Sequence, residues 1–226
     1  MCSHYQAITD RERLKRHFGG VPPADVGKHD LWPGYVGNFC RRHPQVDTGD
    51  EAVPAVELLT GLFGLVPPWS PDTKISRLTY NARSETVANK PSFREAWRKG
   101  QHCIVPADAF FEPDWRSGKP LPACISRVDD EPMGLAGLWS AWKSPKGELT
   151  YSYTLLTINA DQHPLMNKFH KPIDEKRMVV ILPLEHFGAW LQAKPEKSRD
   201  FLRPYPANLL KATVASSPQQ DIFGRW

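Results

Sequence analysis

A cysteine at position 2, directly behind Met1, can carry chemistry that no internal cysteine has. Its small side chain lets an aminopeptidase, or the protein itself, remove Met1. What remains is an α-amine and a thiol on adjacent carbons. Unperturbed, these titrate near about 8 and about 8.5, so both are partly nucleophilic at neutral pH. The amine condenses with an aldehyde to an imine, and the thiol then closes a five-membered thiazolidine ring. The competing reading is that Cys2 is an ordinary second residue, and the rest of the chain has to decide between them.

Four further groups have the residue types such chemistry needs. Asn81-Ala-Arg83-Ser-Glu85-Thr86 sets an amide, a guanidinium and a carboxylate at alternating positions, which share one face if the segment is extended. Asn81 can hold an amine or a sugar oxygen, and Arg83 can grip a phosphate bidentately. The same pattern also reads as an Arg–Glu pair bracing a turn. Glu112 closes the aromatic run Phe110-Phe111. Apolar neighbours raise a carboxyl pKa, as a proton shuttle requires, but a strand-end glutamate can equally face outward. His163 and His170 bracket a basic loop and offer a general acid near the ordinary histidine value, or simply two solvated rings. Trp69, behind Pro67 and Pro68, is placed either to stack on a base or to pack inward. The other histidines show no metal-ligand spacing, so no metal is assigned.

These residues need a frame to bring them together. The chain has 226 residues, 40% of them hydrophobic, enough to bury a core and read as one domain over 1–226. Twenty-two prolines cut it into short pieces, which favours strands and loops. A helix is expected from Thr9 or Asp10 to Phe18, stopped by Gly19-Gly20. Ser92-Phe-Arg-Glu95 has the capping-box pattern and opens a short helix ending at Gly100. Strands are expected at Gly61–Val66, His102–Val105, Phe110–Glu112, Ala123–Val128, Met133–Trp139, Tyr153–Ile158, Met178–Leu182 and Leu210–Val214, with a helix over Pro183–Leu191. Stretches 21–51 and 161–176 read as irregular. The sum is an α+β fold around a mostly antiparallel, barrel-like sheet with a few short helices.

Composition excludes several classes. No apolar run approaches the roughly 18 residues of a membrane span, and residues 1–16 lack the apolar segment of a secretory signal. The four cysteines are far apart, matching neither a disulfide framework nor a zinc site, and a reducing cytoplasm is expected. Net charge is +4, compatible with nucleic acid without requiring it. Basic residues cluster at Arg94, Arg98 and Lys99, and again at Lys168, Lys171, Lys176 and Arg177.

The order of these pieces resembles one family. Met1-Cys2, then Gly64–Trp69, then Asn81–Thr86, then Pro106–Glu112, then His170 ahead of Arg177-Met178 is similar to the SOS response-associated peptidase (SRAP) family, across nearly the whole chain. The resemblance implies a protein that crosslinks to abasic sites in single-stranded DNA and shields them. Met1 would be removed, by an aminopeptidase or by the protein itself, and Cys2 would form the thiazolidine with the ring-opened sugar. Asn81 would orient amine and sugar, Glu112 would relay protons, and His170 would assist ring opening, with a lyase side reaction through the imine. Arg83, His4 and Arg177 would contact DNA and Trp69 would stack where a duplex ends. No cofactor is implied. A monomer is expected, cytoplasmic and nucleoid-associated when bound to DNA.

The chain departs from the family pattern in several places. Ser3-His4 stands where Gly-Arg is usual, Leu31–Tyr35 replaces a Y-N-x-A-P segment, Ser70 replaces a second tryptophan, and Pro113 follows Glu112. The His170–Arg177 loop is long. Two other readings of Cys2 remain open: a thiol-nucleophile peptidase or amidohydrolase acting on an unrelated amide, and a non-catalytic single-strand-binding module.

Overall fold

The computed structural model describes residues 2–214; Met1, and with it the expected methionine removal, lies outside them. Helix α1 (Arg11–Phe18) forms where expected: the Asp10 carboxylate caps the Arg13 N–H at 3.0 Å, Leu14 and Phe18 face inward, and Gly19 at φ 72 ends it. Twelve strands follow the chain as β1 (Tyr5–Ala7), β2 (Asp30–Leu31), β3 (Val36–Arg42), β4 (Val56–Phe63), β5 (Asn81–Arg83), β6 (His102–Asp114), β7 (Leu121–Arg127), β8 (Met133–Lys143), β9 (Leu149–Asn159), β10 (Arg177–Val179), β11 (Ile181–Leu182) and β12 (Leu210–Val214).

Five of them close a ring in the order β3, β4, β9, β8, β6 and back to β3. All contacts in the ring are antiparallel except β4 on β9. Closure removes the open edges a sheet of this size would otherwise expose. The remaining strands extend the wall: β1 pairs with β6 and carries β2, β7 pairs with β6 and carries β12, β5 and β10 flank β9, and β11 adds to β8.

The interior is aromatic. Phe39, Phe63 and Tyr153 pack together, and Tyr5 meets Tyr153 through their hydroxyls at 2.5 Å. Gly37 lies beneath that pair; a Cβ there would collide with Leu31 and both hydroxyls, so only glycine fits. Gly64, at φ 121 and against the Ser76 backbone, turns the chain out of β4. For that reason the strand is Val56–Phe63 and not the expected Gly61–Val66.

Other expectations shift for similar reasons. His102–Val105 and Phe110–Glu112 are one 13-residue strand that continues through Pro106 and Pro113. It is shared between β8 over its first half and β1 and β7 over its second. The stretch 21–51 is not irregular, since it contains β3; Asn38, a poor strand former, is held there by donating to the Val26 carbonyl at 2.7 Å. Helix α2 (Arg94–Arg98) starts at Phe93 without a side-chain cap, so the capping box does not form, and Glu95 takes Lys99 instead at 2.7 Å. The Pro183–Leu191 helix is a 3-10 turn, Leu184–His186, leading into α3 (Phe187–Gln192). Among the described residues no helix is long and apolar enough to cross a membrane.

Candidate functional site

Pairing of β1 with β6, Tyr5 opposite Phe110, draws the start of the chain along the end of the longest strand. The Phe111 N–H donates to the His4 carbonyl at 3.0 Å and fixes that approach. Cys2 is thereby fully buried, its thiol 3.4 Å from the His4 carbonyl. Burial pushes the thiol far above its ordinary titration range, and the negative charge of Glu112 pushes it the same way. With Met1 in place the thiol is therefore a neutral S–H at pH 7; the partly ionised thiol expected from the sequence is that of the chain after Met1 is removed.

Three side chains from distant segments converge on it. Asn81 sits on β5, which runs parallel to β9, and its Nδ2 donates to the Cys2 carbonyl at 2.7 Å. The other end of that amide, Oδ1, is buried and accepts no hydrogen bond among the described residues. Glu112, near the end of β6, is fully buried, so the outward-facing alternative is gone. Its Oε2 lies 3.4 Å from Nε2 of His170.

His170 follows the 3-10 turn Met166–Lys168 and donates its backbone N–H to the Pro113 carbonyl at 2.8 Å, which ties the basic loop to β6. Its φ of 64 is rare for a residue with a side chain and is kept here by that anchor. Nε2 faces two acceptors, the Arg177 carbonyl at 3.2 Å and the Glu112 carboxylate, which assigns the hydrogen to Nε2. Burial lowers the His170 pKa against the opposing pull of Glu112. The ring is thus a neutral hydrogen-bond donor at pH 7, and not the half-charged acid expected of an unperturbed histidine. Among the described residues no three His, Cys, Asp or Glu side chains gather as a metal site.

This geometry belongs to a chain whose residues 1–218 match the family model described as SOS response associated peptidase (SRAP). The chain belongs to the SRAP family. It is 36% identical over 161 residues to the abasic site processing protein YoqW of Bacillus subtilis, covering 69% of this chain and 67% of that one. It is 32% identical over 147 residues to the abasic site processing protein HMCES of Gallus gallus, covering 55% and 43%. A crystal structure of a Bordetella bronchiseptica protein superposes with a TM-score of 0.85 at 47% identity, over 96% of this chain and 100% of that one.

Around Cys2, Asn81, Glu112 and His170 the other expected contacts divide. Arg83 stays on the surface, on the same face of β5 as Asn81, and pairs with Glu175 at 2.8 Å. Trp69 is 55% exposed, its indole N–H reaching the Pro91 carbonyl at 3.3 Å, so it does not pack inward. His4 and Arg177 do not present to a ligand, which corrects their expected DNA contacts. The His4 ring is buried between Trp32 and Phe111, at 4.2 and 4.1 Å and nearly parallel to both, with Nε2 on Asp30 at 2.8 Å. Burial lowers its pKa although Asp30 opposes this. Arg177 is 2% exposed and is taken up by Glu85, Glu175 and the Thr157 carbonyl. The internal Arg83–Glu85 pair of the alternative reading does not form: Glu85 pairs with Arg177 and Arg83 with Glu175. His163 is also structural: Nε2 meets the Tyr205 carbonyl and Nδ1 accepts from the Met166 N–H at 2.9 Å.

Two features escaped the sequence reading. Glu175, holding both Arg83 and Arg177, sits among lysines and looks like an ordinary surface acid. Trp32 lies in the segment that departs from the family pattern and Asp30 just ahead of it, and their role as the clamp on His4 appears only once β2 pairs with β1.

Proposed function

We propose that this chain processes abasic sites in single-stranded DNA by forming a covalent thiazolidine crosslink through Cys2 once Met1 is removed. Proteins of its family that it resembles bear the name abasic site processing protein. The observation that carries the reading is the chain of contacts that joins Cys2, Asn81, Glu112 and His170, with the Asn81 amide on the Cys2 carbonyl, the Glu112 charge acting on the Cys2 thiol, and His170 on Glu112.

In this mechanism Met1 leaves and the Cys2 nitrogen becomes an α-amine held in place by Asn81. An abasic sugar opens to its aldehyde, and the His170 Nε2–H, released from Glu112 and the Arg177 carbonyl, donates to the sugar oxygen. The amine adds to C1′, and the carbinolamine loses water to an imine. The thiol then adds across the C=N bond: the S–C1′ bond forms, and the thiol proton passes by way of Glu112 to nitrogen. Water is the one product released, and no oxidant or metal takes part. Arg83 positions a backbone phosphate, a contact that carries no sequence information, and Trp69 stacks on a base.

The test is a denaturing gel with protein whose intact mass shows loss of Met1. A heat-stable adduct with abasic single-stranded DNA is expected, and none with intact DNA. Cys2→Ala and Cys2→Ser keep the α-amine but lose the thiol, so each should give no heat-stable adduct and only an imine that needs borohydride to survive heating. Equal adduct from Cys2→Ala would refute the mechanism.

A further inference from the structure

The arginine cluster of residues 94–98 takes no part in the Cys2 site, yet it lines a groove of its own. Arg94 and Arg98 stand one turn apart on α2 and project into it. The facing wall is the 3-10 turn Pro195–Phe201, whose Arg199 lies 6.0 Å from the ring of Trp97. All three arginines are exposed. Among the described residues none has a carboxylate within 4.0 Å, since Glu95 is occupied by Lys99. Glu196 is the other acid on the wall.

We propose that this groove binds the phosphodiester backbone of the DNA strand beyond the Cys2 site; the inference rests on the DNA-processing function argued above. Continuity supports it. The segment leaving β5 after Arg83 supplies Ala88 to the groove wall and the Pro91 carbonyl to the exposed Trp69 indole, then enters α2. An exposed aromatic beside unpaired guanidinium groups is the surface that single strands favour, bases on the ring and phosphates on the forks. Trp69 touches Pro91, three residues ahead of Arg94, so in this proposal a strand stacked on Trp69 continues along that segment to Arg94, Arg98 and Arg199.

The test compares intact and abasic single strands of about 4 and about 16 nucleotides, the span of known single-strand site sizes. In the triple variant Arg94→Ala/Arg98→Ala/Arg199→Ala, the log–log salt slope for the long intact strand should fall by about 0.7 for each lost phosphate contact, roughly 2 in all. Binding of the short strand, and its adduct rate when abasic, should not change. The triple lysine variant should keep the slope, because a phosphate reads charge. An unchanged slope in the alanine variant, or equal losses on both lengths with an unchanged melting temperature, overturns the groove. Absence of any adduct in the wild type would instead defeat the crosslinking reading and leave the salt-slope result on intact DNA standing.

Discussion

Replacing Asn81 by alanine tests whether the pocket works by holding Cys2. The side chain gives one hydrogen bond, Nδ2 to the Cys2 carbonyl at 2.7 Å, and that carbonyl belongs to a fully buried residue. Leaving a buried acceptor without its donor costs about 1–3 kcal/mol. At about 1.36 kcal/mol per tenfold in rate, this is a 5- to 150-fold effect if the whole cost falls on the reactive conformation. A reagent displaced by about 1 Å loses on the order of 100-fold, so the two arguments agree on a slowing of about 10- to 100-fold. Asn81→Asp should be slower still, because it sets an acceptor against an acceptor and adds a charge near Glu112. The assay is single-turnover adduct formation on abasic single-stranded DNA, followed on denaturing gels over a range of DNA concentration. The saturating rate should drop while the half-saturating concentration holds, since Arg83 and Trp69 are untouched. A saturating rate within about twofold of wild type at unchanged melting temperature would refute the positioning role. A shift in half-saturation alone would make Asn81 a DNA contact instead.

Two further outcomes follow from other groups. Glu112→Gln should slow adduct formation and lower the His170 pKa still further, because the Glu112 charge is what opposes burial there; an imidazole NMR titration showing no change would uncouple the pair. The second concerns His102, 2% exposed, hydrogen-bonded to Ser198 Oγ at 2.8 Å, its pKa lowered by burial to about 4. A group depressed in the folded state contributes stability above its unfolded pKa and loses it on acidification. Stability should therefore fall by up to about 3 kcal/mol between pH 6.5 and 4, and His102→Gln should flatten that part of a urea-denaturation profile. An identical pH slope in the variant would show that other groups carry the acid sensitivity.

How much could be read from the sequence depended on how local each feature was. Helix α1 was legible because cap, apolar spacing and glycine stop lie within ten positions. Strand β3 was not, because Gly37 and Asn38 are poor strand formers, kept there by Tyr5, Tyr153 and Val26 from elsewhere in the chain. Cys2 announced itself by position alone. Its grouping with Asn81, 79 residues away, came from resemblance and not from spacing. The misplaced contacts have one cause: charge marks a surface only until a partner is known. Arg177 lies next to Lys176 and reads as part of a basic patch, yet it falls on a three-residue strand buried throughout, with Glu85 and Glu175 to receive it. His4 likewise reads as a weakened arginine until Trp32 and Phe111 close on both faces.

Burial also decides which half of Cys2 acts first in the proposed reaction. A thiol pushed far up by desolvation and by Glu112 is a poor nucleophile toward anything arriving from solution. The amine must then make the first bond, with the aldehyde carbon already in the pocket. Once the imine exists, the sulfur is three bonds from the imine nitrogen and four from C1′, and closing the five-membered ring on that carbon is intramolecular. Effective concentrations of about 10⁵ M or more offset a very small thiolate fraction. The proton still has to leave sulfur, and the Glu112 carboxylate, whose field raises the thiol pKa, is the acceptor beside it. In the proposed reaction, the features that make Cys2 inert in the resting protein, a buried neutral S–H under the field of a carboxylate, are also those that would let it trap an imine. A disulfide partner or oxidant would need the exposed thiolate that this pocket withholds.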